Sequence, residues 1–259
     1  MPEIVSEGCA LHVEVEGPAD APVVMFSNSL GTDLTMWDPQ VAPFTRHFRV
    51  VRYDRRGHGR SGVTPGPYSI EMLGRDALAI MDGLGLDKVH WVGLSMGGMV
   101  GQWLGANAPQ RLGKLVLANT SSFMPDKQPW HDRIATVRAG GLAAIVDKVM
   151  GIWFTQDFRD ADPAAVETIR TVFLKTPVDG YIANCEAVRD MDQRDLLDRI
   201  AVPTLVVAGR FDQSTPIEAN DFIRRKVPGA QLTILDSAHI SNIEQAAAFN
   251  TEVLGFLVS

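Results

Sequence analysis

The sequence predicts a three-layer α/β fold, in which a mostly parallel, doubly wound sheet carries an inserted helical cap. Short apolar runs alternate with stretches of helical periodicity, which is the order that builds parallel strand-helix-strand units. Residues 123–195 interrupt this alternation with mostly helical periodicity and four prolines. The strand pattern then resumes, so we expect residues 1–122 and 196–259 to form one core and residues 123–195 to form the cap.

The predicted elements follow one another along the chain. Residues 11–16 alternate apolar and polar side chains, as in a half-exposed strand, and Gly17-Pro18 ends the pattern. Apolar runs that predict buried strands follow at residues 23–26, 48–53, 89–92, 115–117 and 205–208, and residues 232–235 predict a further strand. Helical patterns occur at residues 35–44, 70–84, 96–106, 217–225 and 243–256.

Composition narrows the classes of function. The 259 residues are 46% hydrophobic, which is enough to bury a substantial core. The formal charge is -7 and no basic block is present, so nucleic acid is not an expected partner. No run of about 18 apolar residues and no signal-like start occurs, which predicts a cytoplasmic protein without a membrane partner. Cys9 and Cys185 lack metal-ligand spacing and are expected to be free thiols.

The most specific motif surrounds Ser95. Residues 89–98 predict a strand that runs into a Gly-x-Ser-x-Gly turn and then a helix. Gly93 and Gly97 would avoid side-chain collisions in a sharp turn that projects the hydroxyl outward. The helix start would direct free N–H groups towards charge that develops at a reacting carbonyl. The motif therefore indicates a nucleophilic serine, and the alternative is a serine that only caps the helix.

In this context the chain resembles the α/β-hydrolase family from residue 23 to its last helix. The family has its catalytic residues in the order serine, acid, histidine, with the acid after a later strand and the histidine before the last helix. Asp212 follows the apolar run 205–208, and His239 follows the run 232–235. The resemblance therefore implies a triad of Ser95, Asp212 and His239.

Other residues compete for these roles. Asp212 alone could be a turn or capping residue before Thr215-Pro216. The rival acids Asp236, Asp195 and Asp190 do not follow a buried strand at the family position. His58 lies in the glycine-rich segment 54–61 and is expected to be structural rather than catalytic.

The same resemblance implies two backbone donors for an oxyanion hole. The first is the N–H of Met96, directly after the serine. The second comes from the loop after the apolar run that ends at Phe26, and we assign it to Leu30. Many relatives have His-Gly before this position, whereas this chain has Asn28-Ser29. Donation by a backbone N–H does not require the relatives' side chains.

Four segments further resemble the bacterial 3-oxoadipate enol-lactonases of this family; they are residues 27–37, 54–59, 93–98 and 238–245. This implies hydrolysis of an enol-lactone through an acyl-enzyme on Ser95 in the β-ketoadipate route of aromatic breakdown, without a cofactor or a metal. Because that substrate carries a carboxylate, a cationic or polar recognition point is expected in the cap. The candidates are Trp130, Arg133 and Arg138, whose structural alternatives are core packing and a solvated helix face.

The motifs leave two other functions open. A broad carboxylesterase or a cofactor-free perhydrolase would use the same triad, and the perhydrolase would replace water by peroxide at deacylation. A hydrolase-fold receptor without catalytic activity belongs to another class, and the complete triad argues against it.

Overall fold

A computed structural model describes residues 4–259. Within them lie nine strands: β1 Ile4–Ser6, β2 Cys9–Leu11, β3 Val13–Glu16, β4 Val23–Ser27, β5 Arg49–Tyr53, β6 Val89–Leu94, β7 Leu112–Ala118, β8 Thr204–Gly209 and β9 Gln231–Leu235. The helices of the same residues are α1 Asp38–Phe44, α2 Ile70–Gly83, α3 Met96–Asn107, α4 Gln128–Gly140, α5 Val146–Trp153, α6 Gln156–Ala161, α7 Pro163–Lys175, α8 Val178–Asp190, α9 Ile217–Lys226, α10 Ser241–Glu244 and α11 Ala246–Val258.

The main sheet has the strand order β3-β5-β4-β6-β7-β8-β9. Only β3 pairs antiparallel with its neighbour, and every other neighbouring pair is parallel. The carboxyl ends of β4, β6, β7 and β8 therefore meet at one edge of the sheet. This confirms the predicted α/β fold with a mostly parallel sheet, and ligands of such sheets bind at this edge.

Two groups of helices cover the sheet. Helix α3 contacts β4, β6 and β7 and packs against α2, while α1 packs against α11 and contacts β5. The inner strands β4 to β8 are mostly buried, which explains their apolar sequences, whereas the edge strands β3 and β9 are partly exposed. These groups form the outer two layers of the predicted three-layer arrangement.

Helices α4 to α8, which we call the inserted helices, lie between β7 and β8 in the sequence. The chain leaves and rejoins the core at one place, because Phe123 and Asp192 form an antiparallel bridge. Next to it, the Gln193 N–H donates to the Ser122 carbonyl at 2.7 Å. The predicted cap occupies this region, and its limits at residues 123 and 195 stay a prediction.

Two predicted elements divide. The expected strand 11–16 breaks at His12, because its N–H donates to Ser61 Oγ at 2.9 Å and its carbonyl accepts from the Asp54 N–H at 3.0 Å. The expected helix 243–256 instead consists of α10 and α11, because Gln245 leaves the helical region with φ -123° and ψ 46°. Continuous periodicity in the sequence could not reveal these breaks. The break in the strand is caused by tertiary hydrogen bonds, and the break in the helix by the backbone conformation of a single residue.

Cys9 and Cys185 are both buried and free, as the sequence predicted. In the described residues, no helix combines the length and the apolar character that a bilayer crossing requires.

Candidate active site

Ser95 occupies the sharp turn between β6 and α3. Its backbone has φ 55° and ψ -114°, a region that non-glycine residues rarely adopt. A Cβ on Gly93 would lie 2.1 Å from the Gly97 carbonyl oxygen, and one on Gly97 would lie 2.0 Å from the Ser27 carbonyl oxygen. The turn therefore requires both glycines, as its sequence pattern predicted.

The turn presents the Ser95 side chain to a cavity of about 650 Å³. Backbone hydrogen bonds hold the residue, since its N–H donates to the Ala118 carbonyl at 2.8 Å and its carbonyl accepts from Thr120 Oγ1 at 2.7 Å. Among residues 4–259, no side chain or backbone group forms a hydrogen bond with its hydroxyl. Ser95 Oγ is thus available to a molecule in the cavity, which His239 also lines.

Asp212 and His239 are in direct contact at the carboxyl edge of the sheet. Asp212 follows β8, and its Oδ2 lies 2.9 Å from His239 Nδ1. Oδ2 also accepts from Thr215 Oγ1 at 2.7 Å and from Asn119 Nδ2 at 3.0 Å, while the Ser214 and Thr215 N–H groups donate to Oδ1. Burial raises the pKa of Asp212, but His239 and the bonds from Thr215 outweigh it and leave the pKa below its usual value. A charged carboxylate therefore faces the imidazole.

The loop before α10 fixes the His239 ring. The His239 N–H donates to the Trp153 carbonyl at 3.0 Å, and the two rings lie 6.4 Å apart. Because Asp212 accepts from Nδ1–H, the neutral ring carries its proton there and has a lone pair on Nε2. This tautomer is the one that can accept a proton from a serine hydroxyl.

Asn119 is a part of the site that the sequence prediction missed. It directly follows β7, has φ 45° and donates through Nδ2 to Asp212 and to the Ala238 carbonyl. Its Oδ1 accepts from Ser241 Oγ at 2.5 Å. Asn119 therefore joins the acid turn to the histidine loop. A polar residue soon after the buried run 115–117 was the available indication, since Asp212 was also found by its position after a buried strand.

Leu30 and Met96 border the cavity beside Ser95. Neither backbone N–H has a hydrogen-bond partner in the described part of the chain, and Met96 is the first residue of α3. The Gly97 N–H donates to the Asn28 carbonyl at 3.0 Å and so ties the two donor segments together. Two free N–H groups at one cavity wall can stabilise a negatively charged oxygen.

The three candidates for substrate recognition separate into two places. Trp130 and Arg133 of α4 border the cavity of Ser95, with the Arg133 guanidinium carbon 4.9 Å from the Trp130 ring centre. Arg133 Nη1 donates to Tyr181 Oη at 3.3 Å and has no carboxylate partner within residues 4–259. Arg138 borders a different cavity, next to Val178. Arg138 is therefore not part of the proposed substrate site.

The rival acids lie elsewhere. Asp236 forms an ion pair with Arg210 at 2.5 Å, and Asp190 forms one with Arg189 at 2.6 Å. Asp195 is exposed in the 3-10 helix Arg194–Arg199. Asp212 is the carboxylate that contacts His239. Over residues 4–259, no three His, Cys, Asp or Glu side chains lie close enough together to hold a metal ion.

His58 is fully buried next to the loop that contains Leu30, and its Nε2 accepts from the Gly31 N–H at 2.8 Å. Burial, reinforced by the charge of Arg55, lowers the pKa of His58 from 6.5 to about 3. The ring is therefore neutral at physiological pH, as acceptance at Nε2 requires. His58 does not border the cavity of Ser95, and a structural role for it stays a prediction.

We expect His58→Gln to flatten the pH dependence of stability on the acid side. Between pH 6.5 and about 3 the unfolded chain binds a proton at His58 and the folded chain does not. Stability of the wild type therefore falls as pH decreases through this window, by up to about 1.4 kcal/mol per pH unit from this residue. Urea unfolding at several pH values from 6.5 to 4.5 measures the slope. Parallel curves for the two proteins would contradict the expectation.

Comparisons with known proteins place this geometry in a family. The α/β-hydrolase fold family matches residues 22–139. Two 3-oxoadipate enol-lactonases of Acinetobacter baylyi are 38% and 39% identical to the chain and align with 96% and 98% of it and with 94% and 95% of their own lengths. The crystal structure of the enol-lactonase from Burkholderia xenovorans LB400 superposes with a TM-score of 0.98 at 40% identity, over the whole of both chains.

The chain belongs to the α/β-hydrolase family. Within this family it groups with enol-lactonases, which are ester hydrolases.

Proposed function

We propose that the chain hydrolyses 3-oxoadipate enol-lactone to 3-oxoadipate, as a step in the breakdown of aromatic compounds. The observation that carries this proposal is one cavity bordered by Ser95, His239, Leu30 and Met96, of which the last two have backbone N–H groups without a partner in the described residues. The likeness to enol-lactonases over nearly the whole chain supports the choice of substrate. The substrate is a small molecule with an ester bond in a ring.

In the proposed mechanism, Ser95 Oγ attacks the lactone carbonyl while His239 Nε2 takes its proton. The Leu30 and Met96 N–H groups stabilise the oxygen of the tetrahedral intermediate. Asp212 holds the imidazole in the required tautomer and stabilises its positive charge. Collapse of the intermediate breaks the ring C–O bond, the protonated His239 passes its proton to the leaving enolate, and the opened acid remains esterified to Ser95. Water, deprotonated by His239, then releases the product.

The chemistry of the leaving group suits this site. Opening an enol-lactone expels an enolate, which is stabilised by conjugation and becomes a ketone once it gains a proton at carbon. The leaving oxygen therefore needs little help from a general acid. The main demands on the protein are to orient the carbonyl at Ser95 and to bind the remote carboxylate.

Arg133 is our candidate for binding that carboxylate. Its guanidinium has no acidic partner within the described residues, lies over Trp130 and is held by the Tyr181 hydroxyl. Lys148 of α5 and Asp132 of α4 border the same cavity, so its wall holds two cationic side chains, Arg133 and Lys148, and one carboxylate. A guanidinium can bind a carboxylate through two parallel hydrogen bonds, which fixes orientation as well as affinity.

The test is the loss of enol-lactone absorbance with the purified protein, using lactone generated in situ. Rapid loss, with kcat/KM well above that for a simple aryl ester, is the expected result. Turnover of aryl esters without turnover of the lactone would overturn the substrate assignment and favour a broad carboxylesterase. Repeating the ester assay with peroxide measures whether peroxide competes with water at deacylation, as a perhydrolase requires.

We expect Arg133→Met to lower kcat/KM for the carboxylated lactone by about ten- to a hundredfold, because a hydrogen bond to a charged group is lost. Hydrolysis of an uncharged aryl ester should change less than threefold. Arg138→Met is the matched control, since Arg138 lies on the same helix but on another cavity. Equal losses of kcat/KM on charged and neutral substrates would show that Arg133 stabilises the fold and does not bind the substrate carboxylate.

A further inference from the structure

We propose that His58 is a positioning residue that fixes the direction of the Leu30 N–H in the oxyanion hole by holding the next peptide group along the chain. The inference rests on the proposed function, because it assumes acyl transfer at Ser95 with Leu30 as a donor. It assigns a task to a buried histidine that does not border the cavity.

Three consecutive peptide groups carry the argument. The middle one, between Ser29 and Leu30, supplies the free Leu30 N–H, and its carbonyl accepts from Thr32 Oγ1 at 2.9 Å. The one after it contributes the Gly31 N–H, which donates to His58 Nε2 at 2.8 Å. The one before it contributes the Asn28 carbonyl, which accepts from the Gly97 N–H at 3.0 Å and from Arg55 Nη2. The donor peptide thus lies between two anchored neighbours.

The anchors come from rigid surroundings. Arg55 and His58 are both buried, and the His58 N–H donates to the Arg55 carbonyl at 3.0 Å, so one tight turn supplies both side chains. Gly31 has φ 78°, and a Cβ there would lie 2.7 Å from the Phe173 ring, so this loop is packed on its other side as well. The loop of residues 28–31 has little room to rotate without breaking one of these contacts.

Without His58, the Gly31 N–H would be buried and unpaired. Rotation of the peptides around Leu30 would then let the Gly31 N–H find another partner and would turn the Leu30 N–H away from the cavity. Misplacing one catalytic group by about 1 Å can cost about a hundredfold in rate. The loss should appear in the transition state, where negative charge develops on the oxygen, and not in binding of the substrate.

The experiment compares His58→Gln with His58→Asn and His58→Leu. A glutamine can place its carbonyl oxygen near the position of Nε2, an asparagine is too short to reach Gly31, and a leucine has no acceptor. His90→Leu controls for the loss of a half-buried histidine, because His90 lies at the end of β6 remote from Ser95. Aryl ester hydrolysis gives kcat and KM, and phenylboronic acid, which forms a tetrahedral adduct with an active serine, gives an inhibition constant.

We expect His58→Leu and His58→Asn to lower kcat by about ten- to a hundredfold with KM nearly unchanged. Inhibition by phenylboronic acid should weaken by a similar factor. His58→Gln should recover most of both quantities, and His90→Leu should leave both near the wild-type values. If the leucine variant does not fold, the comparison of glutamine with asparagine decides.

Equal kcat and equal boronate affinity in folded His58→Asn and wild type would overturn the inference, as would equal losses in the glutamine and asparagine variants. Failure of the proposed function looks different. A wild type that hydrolyses aryl esters but not the lactone would reject the lactone assignment alone and leave the inference on His58 testable. A wild type that neither hydrolyses aryl esters nor binds phenylboronic acid would reject both proposals together.

Discussion

Ser95→Ala is expected to lower kcat for enol-lactone hydrolysis by about 10⁵- to 10⁶-fold, the loss typical of removing a serine nucleophile. The hydroxyl has no hydrogen-bond partner within residues 4–259, so its removal leaves no group in the fold unpaired. Substrate affinity should therefore change little. Single-turnover kinetics with excess enzyme measures the residual rate, and equilibrium binding of the product to wild type and variant measures the affinity.

Ser95→Gly is the matched second variant. Glycine tolerates φ 55° and ψ -114° without the strain that a Cβ imposes, so the glycine variant should lose the same activity but be more stable than wild type, by about 1 kcal/mol. A fluorophosphonate probe should label the wild type and neither variant. Activity within a hundredfold of wild type in both variants would show that another group performs the chemistry.

The elements of the candidate site were predictable from sequence where local pattern determines local structure. Ser95 lies in a turn whose two glycines are dictated by steric contacts, and those glycines stand in the sequence. Asp212 follows the buried strand β8 and His239 follows the partly exposed strand β9, and parallel strands bring their carboxyl ends to one edge of the sheet. Asn119 follows a buried strand in the same way. It was missed because a single asparagine after a strand forms no recognisable motif.

Recognition residues were less predictable, and α4 shows why. Trp130 and Arg133 are three residues apart and share one face of the helix, where the guanidinium contacts the ring. Arg138 is five residues beyond Arg133, and at about 100° per residue it points to a different side. Periodicity separates the two arginines, but it cannot say which face meets the cavity. That depends on how α4 packs against α8, a contact between segments about 50 residues apart.

The same limit applies to His58. The segment 54–61 suggested a structural role, but the partner of the imidazole is Gly31, 27 residues earlier in the chain. Only the folded chain shows that this contact flanks the donor peptide of Leu30. Sequence patterns thus locate groups that react, whereas the contacts that orient those groups come from tertiary packing.

Asp212→Asn is expected to lower kcat by about 10⁴-fold while leaving the fold intact. An asparagine can retain the hydrogen bonds from Ser214 and Thr215 through its oxygen. Its Nδ2 would then face His239 Nδ1, which can accept that hydrogen bond only if the imidazole proton moves to Nε2. In this tautomer Nε2 has no lone pair for the Ser95 proton, so attack on the carbonyl slows even though every residue keeps its place.

Asp236→Asn is the control, because Asp236 follows β9 in the same region, is exposed and pairs with Arg210. The Asp236→Asn variant should fold like the wild type, since a surface ion pair contributes little to stability. Its kcat should therefore stay within about twofold of wild type. Steady-state assays of the two variants and their thermal unfolding separate loss of chemistry from loss of structure. A loss of less than tenfold in Asp212→Asn would mean that the imidazole keeps its tautomer without a carboxylate. Asn119 Nδ2 could not hold that tautomer, because it is a hydrogen-bond donor and cannot accept from the imidazole N–H. Another hydrogen-bond acceptor for His239 would then have to be identified.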